Sequence, residues 1–171
     1  MSNHRNGNGI MENKMIINAS ITQNGVELDK SKYNWDENNL VFSTYENDLD
    51  IIFKSYEGVT FKTGSDCNFK TGSYCTFITG GYCKFITGYS CVFNTGLRCM
   101  FDTGSDCTFK TGRDCIFEVG SYCTFSTGYN CIFAAGENCV IIVHDQKGII
   151  EIPSNKTIIL DTQEIKGYSV I

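Results

Sequence analysis

The residues of this chain that could do chemistry are its cysteines, which number ten and follow one another at intervals of eight residues. Thiolates are soft ligands that select zinc, copper(I) or iron–sulfur centres. The unbroken spacing therefore predicts a linear metal–thiolate array, with an iron–sulfur array as the leading cofactor and zinc or copper(I) as the others. The candidate ligands are Cys67, Cys75, Cys83, Cys91, Cys99, Cys107, Cys115, Cys123, Cys131 and Cys139.

Two other interpretations of the cysteines remain open at this point. Free cysteine packs as a small hydrophobe, so the repeat could form a core ladder of free thiols in a purely structural protein that has no cofactor. Against this, no Val, Ala or Ser replaces cysteine in any of the ten repeats, although pure packing should tolerate such a change. Disulfides between neighbouring cysteines are the third interpretation, although parallel side chains would strain the bond.

The cysteines belong to ten octads with the consensus T-G-x-x-C-x-F-x, which begin at Thr63. Side chains alternate between the two faces of a strand, so the segment C-x-F-x-T places Cys, Phe and the next Thr on one face. Charged residues such as Lys84 and Glu118 occupy the intervening positions and belong in water. Glycine fits a tight bend with a positive φ, so G-x-x turns the corner. The fold class is therefore all-β, a single β-solenoid (β-helix) with an inward stack of Phe.

The number of octads in one coil decides how the cysteines are arranged. If two octads form a coil, Thr76, Val92 and Thr108 align in a uniform β-branched column, which sheets favour. This favours about five coils of sixteen residues and two cysteine columns, with successive thiols about 4.8 Å apart. Three octads per coil would mix the residue types, and three chains wound into one prism is a further alternative.

One column supplies a line of ligands, whereas a tetrahedral zinc site needs four sulfurs about 3.8 Å apart. Bridging sulfide, shared thiolates or a second chain would have to complete each centre. Threonines across the corner could donate hydrogen bonds to the sulfurs and so tune the metal from outside its ligand shell. These candidates are Thr71, Thr79, Thr87, Thr95, Thr103, Thr111 and Thr127.

The chain divides into four segments, of which the repeats are the third. Residues 1–13 are polar and predict a disordered tail, residues 14–62 an N-terminal β cap, residues 63–142 the solenoid, and residues 143–171 a C-terminal β cap. The N-terminal cap contains an Asn24-Gly25 hairpin signal and two degenerate octads, in which Ile51 and Val59 take the cysteine position. The C-terminal cap is predicted to contain short strands at 140–144, 148–152, 157–160 and 168–171.

Three stretches of sequence carry a resemblance to a known family. The N-terminal NGVELDKSKYNWDENNLVFST, the octads of the TGSYCTF type and the terminal IEIPSNKTIILDTQEIKGYSV resemble cysteine-rich repeat proteins of giant amoeba-infecting viruses of the mimivirus kind. The resemblance covers the chain from about Met15 to Ile171. It implies a viral origin and a reducing setting, in the cytoplasm of an infected cell or in the virion. It implies no activity, and it carries over no site residues.

Charge and composition narrow the remaining function classes. Nineteen acidic against fourteen basic residues give a net charge of −5, which argues against nucleic acid or an anionic membrane as a partner. The N-terminus lacks an apolar signal segment, so we expect a protein that is not secreted. The two histidines, His4 and His144, do not form a catalytic pattern with the cysteines, and we expect no enzyme. Partners would be further copies of the chain or virion and scaffold proteins. Corner tyrosines that we expect to be exposed could contact them, at positions 74, 82, 89, 122 and 129.

Overall fold

The computed structural model describes residues 19–53, 56–143, 149–153, 156–160 and 168–170. The protein is all-β, with 50% strand and 2% helix, and it forms a β-solenoid of about 6 turns. The predicted fold class is therefore confirmed. The expected disordered tail, residues 1–13, lies outside the described residues, as do His4 and His144. No helix among the described residues is long and apolar enough to cross a bilayer.

The strands are short, because each side of a coil holds only a few residues between corners. They are β1 Ala19–Gln23, β2 Val26–Glu27, β3 Tyr33–Asp36, β4 Val41–Thr44, β5 Leu49–Phe53, β6 Thr60–Lys62, β7 Asn68–Lys70, β8 Thr76–Ile78, β9 Lys84–Thr87, β10 Val92–Asn94, β11 Met100–Thr103, β12 Thr108–Lys110, β13 Ile116–Val119, β14 Thr124–Thr127, β15 Cys131–Ala135, β16 Val140–Val143, β17 Ile149–Glu151, β18 Thr157–Leu160 and β19 Tyr168–Val170. A 3₁₀ turn, Lys30–Lys32, precedes β3.

Alternate strands build two sheets. The first has the order β19-β18-β15-β13-β11-β9-β7-β5-β1-β2, and the second has the order β17-β16-β14-β12-β10-β8-β6-β4-β3. Within the repeats the pairing is parallel and joins residues sixteen positions apart, as in Phe69 with Phe85 and Phe77 with Phe93. Two octads of one chain therefore form each coil, as the β-branched column predicted. The alternatives of three octads per coil and of a three-chain prism do not fit this register.

Phenylalanine fills the space between the two sheets. In each sheet the rings stack in a column, with Phe93 and Phe109 parallel at 4.8 Å between centroids and Phe101 and Phe117 at 4.9 Å. Rings of opposite sheets meet edge to face, as Phe93 does with Phe101 at 5.2 Å. These rings are at most 2% exposed, so each contributes roughly 2–3 kcal/mol of burial and about 0.5–1.5 kcal/mol for each aromatic pair.

The positive φ at each corner belongs to the residue before cysteine, not to glycine. Asp66, Tyr82 and Asn130 have φ of 59°, 59° and 58°, and the same position has a positive φ in all ten octads. The prediction that glycine supplies this conformation was wrong. Glycine is required because the preceding coil passes very close: a Cβ on Gly112 would lie 3.0 Å from the Leu97 Cα, and one on Gly96 would lie 2.6 Å from a backbone nitrogen.

The N-terminal cap closes the open end of the solenoid. Asn24 and Gly25, with φ of 52° and 77°, form the predicted two-residue turn between β1 and β2. Strand β1 pairs antiparallel with β5, and β3 pairs antiparallel with β4. Trp35 is buried, and its ring lies 5.7 Å from that of Phe53. The antiparallel strands block continuation of the parallel stack at this end.

One cap register differs from the prediction by two residues. Ile51 pairs with Phe69 and so takes the phenylalanine position, which leaves the buried Leu49 in the cysteine position. A shift of two keeps the same side chains inward, which is why alternation alone could not detect it. Val59 does occupy the cysteine position, since its neighbour Thr60 pairs with Thr76.

The C-terminal cap contains the predicted strands. Strand β17 pairs antiparallel with β16, and β18 pairs antiparallel with β15. Ile150 of β17 and Ile158 of β18 are buried, as is Ile152, and they extend the apolar core past the last phenylalanine. Both sheets therefore end in antiparallel strands at this end as well.

Candidate functional site

The register gathers the ten cysteines into two columns of five, each column at one of the two corners of the coil. The columns consist of Cys67, Cys83, Cys99, Cys115 and Cys131 at the start of the first sheet's strands, and Cys75, Cys91, Cys107, Cys123 and Cys139 at the start of the second sheet's. All ten are free thiols and at most 1% exposed. The phenylalanine stack separates the columns, because each strand runs from its cysteine through its phenylalanine to the opposite corner.

Each thiol points at backbone carbonyl groups of its corner. All ten sulfurs lie 3.2–3.7 Å from the carbonyl oxygen two residues earlier. Cys99 Sγ, for example, lies 3.7 Å from the Leu97 oxygen and 3.9 Å from the Gly80 oxygen of the preceding coil. The S–H groups therefore donate long, weak hydrogen bonds to the backbone.

The sulfurs also accept hydrogen bonds from the backbone. The N–H of Cys91 donates to Cys107 Sγ at 3.4 Å, and the N–H of Cys123 donates to Cys139 Sγ at 3.3 Å. At the other cysteines, too, the backbone N–H at the cysteine position of one coil faces the sulfur of the following coil. A buried N–H without an acceptor is costly, and a methyl group at this position cannot accept. Sequence reasoning missed this role, for which the absence of Val and Ala from the cysteine position of the ten octads was the available signal.

Neighbouring thiols of one column also interact with each other. A hydrogen bond with the Cys91 thiol is the largest influence on Cys75 and lowers its pKa to about 7. Cys123 acts in the same way on Cys139, whose pKa is also lowered to about 7. The pKa of Cys91 is raised, first by its hydrogen bonds with Cys107 and Cys75 and then by burial. The neighbouring thiols are therefore the chief influence on the pKa of each of these cysteines, and they lower it at some positions and raise it at others.

The seven predicted threonines line the corners beside the columns. Six of their hydroxyls donate to the carbonyl oxygen of the following glycine at 3.1–3.5 Å. The exception is Thr95, which is 8% exposed and whose hydroxyl is the one buried side-chain oxygen or nitrogen without a hydrogen-bond partner among the described residues. The pKa of Cys99 is raised, chiefly by its hydrogen bond with the Cys115 thiol, and the Thr95 hydroxyl is a smaller influence that opposes this rise. Thr95 therefore holds an unused donor beside the middle of its column.

The columns do not bring many ligands to one point. Within the described parts of the chain, no three or more His, Cys, Asp or Glu side chains converge closely enough to hold one metal ion. What each column offers instead is a series of sulfur pairs, each pair formed by two successive coils. Any metal held by this chain alone would therefore be shared between neighbours along a column.

The corner tyrosines form a separate surface feature. Arg98 lies over the Tyr82 ring at 5.6 Å, and Arg113 lies over the Tyr129 ring at 5.5 Å. Arg113 also donates to the Tyr129 hydroxyl at 2.6 Å. Tyr129 is half-buried as a result, which corrects the expectation that it is exposed, whereas Tyr122 is 61% exposed. These contacts between tyrosine rings and guanidinium groups explain some of the corner tyrosines without a partner protein.

A comparison with protein-family models finds no match, and no curated protein or solved structure is significantly similar to this chain.

Proposed function

We propose that this solenoid binds soft metal ions as thiolates along its two cysteine columns. The observation that carries the proposal is the uninterrupted series of five buried sulfurs in each column, in which each thiol interacts with the next. Thiolates favour soft ions, and a buried column excludes the hard ligands and water that would compete for the ion. The iron–sulfur prediction belongs to the same proposal, but a cluster needs up to four thiolates around it, and a column presents them in a line.

A structural role is the second candidate, and a specific observation supports it. Each sulfur completes the hydrogen bonding of its corner, since it accepts from one coil and donates to carbonyls at 3.2–3.7 Å. On this proposal the protein is a rod with free-thiol ladders, and its work is done at its surface as a virion or scaffold component. The viral origin implied by the resemblance remains a prediction that this role would suit.

Elemental analysis separates the two candidates. The protein would be purified without oxygen from cells supplied with iron, copper and zinc, and metal and acid-labile sulfide would be measured per chain beside an absorption spectrum. We expect bound soft metal, which decreases in Cys99→Ser and Cys107→Ser, one central ligand of each column. The control is Thr108→Val, which changes the outer face beside Cys107. A metal-free protein with ten titratable thiols, or equal metal content in all variants, would leave the structural role.

A further inference from the structure

The columns also indicate which kind of metal ion they would take. We infer that each column binds monovalent d¹⁰ ions, copper(I) or silver(I), one in each gap between two successive sulfurs, where the ion has two ligands in a line. Five sulfurs leave four gaps, so the two columns of this chain hold eight ions. The inference rests on the proposed function, because it names the metal class and the number of ions at that same site.

The strand spacing matches this coordination. Successive cysteines lie on paired parallel strands, which are about 4.8 Å apart. Two metal–sulfur bonds in a line, each of about the zinc–thiolate length of 2.3 Å, span about 4.6 Å, which is close to the spacing between the strands. A tetrahedral ion would draw the sulfurs to about 3.8 Å and needs two further ligands. Among the described residues, no third His, Cys, Asp or Glu side chain joins any pair.

The charge of a filled column also favours monovalent ions. Each ion that enters displaces one thiol proton, so four ions and five sulfurs release four protons and retain one. The column remains neutral, and the metal enters and stays in the same oxidation state, so no electron is transferred. Divalent ions in shared gaps would leave a net positive charge, which is costly in the core of a protein. Neutrality therefore selects the monovalent ions among the soft ones.

The groups around the sulfurs suit a thiolate. The backbone N–H groups that already face them, such as that of Cys91 on Cys107, remain as donors to the bound thiolate. Thr95 adds a hydroxyl that is nine-tenths buried, has no partner among the described residues, and lies beside Cys99. Metal binding would remove the hydrogen bonds that the thiols donate to backbone carbonyl groups. These hydrogen bonds are long, with Cys99 Sγ 3.7 Å and 3.9 Å from its two carbonyl oxygens, and therefore weak. Replacing these thiol protons by metal ions therefore sacrifices only weak hydrogen bonds at the centre of the column.

Silver(I) is a suitable probe because it is two-coordinate and does not change its oxidation state. The reduced full-length chain would be titrated with silver nitrate and followed by native mass spectrometry, in which each step adds one silver ion and removes one proton. We expect saturation at eight ions per chain, four for each column of five cysteines. The steps would count both the ions and the protons displaced.

Two double variants that each remove two cysteines make the test position-dependent. Cys83→Ser with Cys115→Ser interrupts all four gaps of one column, because Cys67, Cys99 and Cys131 no longer have a neighbour, and it should hold four ions. Cys67→Ser with Cys131→Ser removes only the two outer gaps and should hold six. If a serine pair prevents folding, valine replaces it, with circular dichroism and the four ions of the intact column as the check on structure.

The outcomes distinguish the inference from the proposed function. Saturation at eight, four and six supports the bridged, two-coordinate array. Two results overturn the inference and leave the column as a metal site of another geometry. One is an equal loss of silver ions in the two double variants, and the other is saturation of the native chain at a number of ions other than eight. If the native chain binds no soft ion at all, both the inference and the proposed function fail.

Discussion

The sharpest structural prediction concerns the sulfur as a backbone acceptor, and Cys107→Ala tests it. Cys107 Sγ accepts from the Cys91 N–H at 3.4 Å and donates to the Ser105 oxygen at 3.5 Å. Removing the sulfur deletes one buried heavy atom, worth about 1 kcal/mol. It also leaves the Cys91 N–H without an acceptor, at about 1–3 kcal/mol. We therefore expect the free energy of unfolding to fall by about 2–4 kcal/mol.

The assay is denaturant unfolding of metal-free, reduced protein, combined with amide hydrogen exchange. Exchange at Cys91 should accelerate in the variant, whereas Val92, whose N–H donates to the Cys75 oxygen at 2.9 Å, should remain protected. The control is Val59→Ala, which truncates a fully buried side chain in the same position of the same column. That change removes apolar volume alone, so it should destabilise the protein without accelerating exchange at Cys91.

Two results would refute this reasoning. A loss of about 1 kcal/mol or less would mean that the sulfur contributes only its volume. Unchanged exchange at Cys91 would mean that its N–H has another acceptor in solution. Either result would remove the structural explanation for the unbroken cysteine register and strengthen the metal proposal.

Three further substitutions test the packing and the corners, each by denaturant or thermal unfolding. Gly112→Ala places a Cβ 3.0 Å from the Leu97 Cα of the coil below and should cost about 1–3 kcal/mol, as overpacking does; a neutral result would mean that coils can move apart. Tyr122→Asn replaces an exposed aromatic at φ 60° with a residue that tolerates the left-handed region and should stabilise the protein by about 0.5–1 kcal/mol; a lower melting temperature would count against the assigned corner. Phe101→Ala removes a ring stacked between two others at 5.0 Å and 4.9 Å and should cost about 3–5 kcal/mol; a smaller loss would show that the columns collapse to fill the space.

The architecture could be predicted because the repeat constrains it twice. Alternation within an octad assigns Cys and Phe to the core, and the β-branched column of Thr76, Val92 and Thr108 selects two octads per coil. Both signals are local and repeated ten times, so single deviations do not disturb them. The caps lack this redundancy. Leu49, Ile51 and Phe53 are all buried at alternate positions, so a shift of two residues preserves the pattern and only the pairing reveals it.

The details of the corner could not be predicted from residue types. Glycine is selected both by a positive φ and by close approach of another chain segment, and the consensus does not distinguish these causes. The Asp and Asn at positions such as Asp66 and Asn130 were the better indication, because these residues tolerate the left-handed region. The hydrogen bonds from backbone N–H groups to sulfur form only when one coil lies on the next, so no property of a single octad could reveal them.

The pairing of residues sixteen apart has a consequence for how such a gene can change length. Loss or duplication of one octad would transfer every later strand to the opposite sheet. Strands β17 and β18 would then no longer lie at the ends of the sheets to which they now belong. Loss or duplication of two octads changes the rod by one layer, about 4.8 Å, and leaves all later contacts intact. The molecule can therefore grow or shrink by recombination only in steps of sixteen residues, and its length is inherited in whole layers.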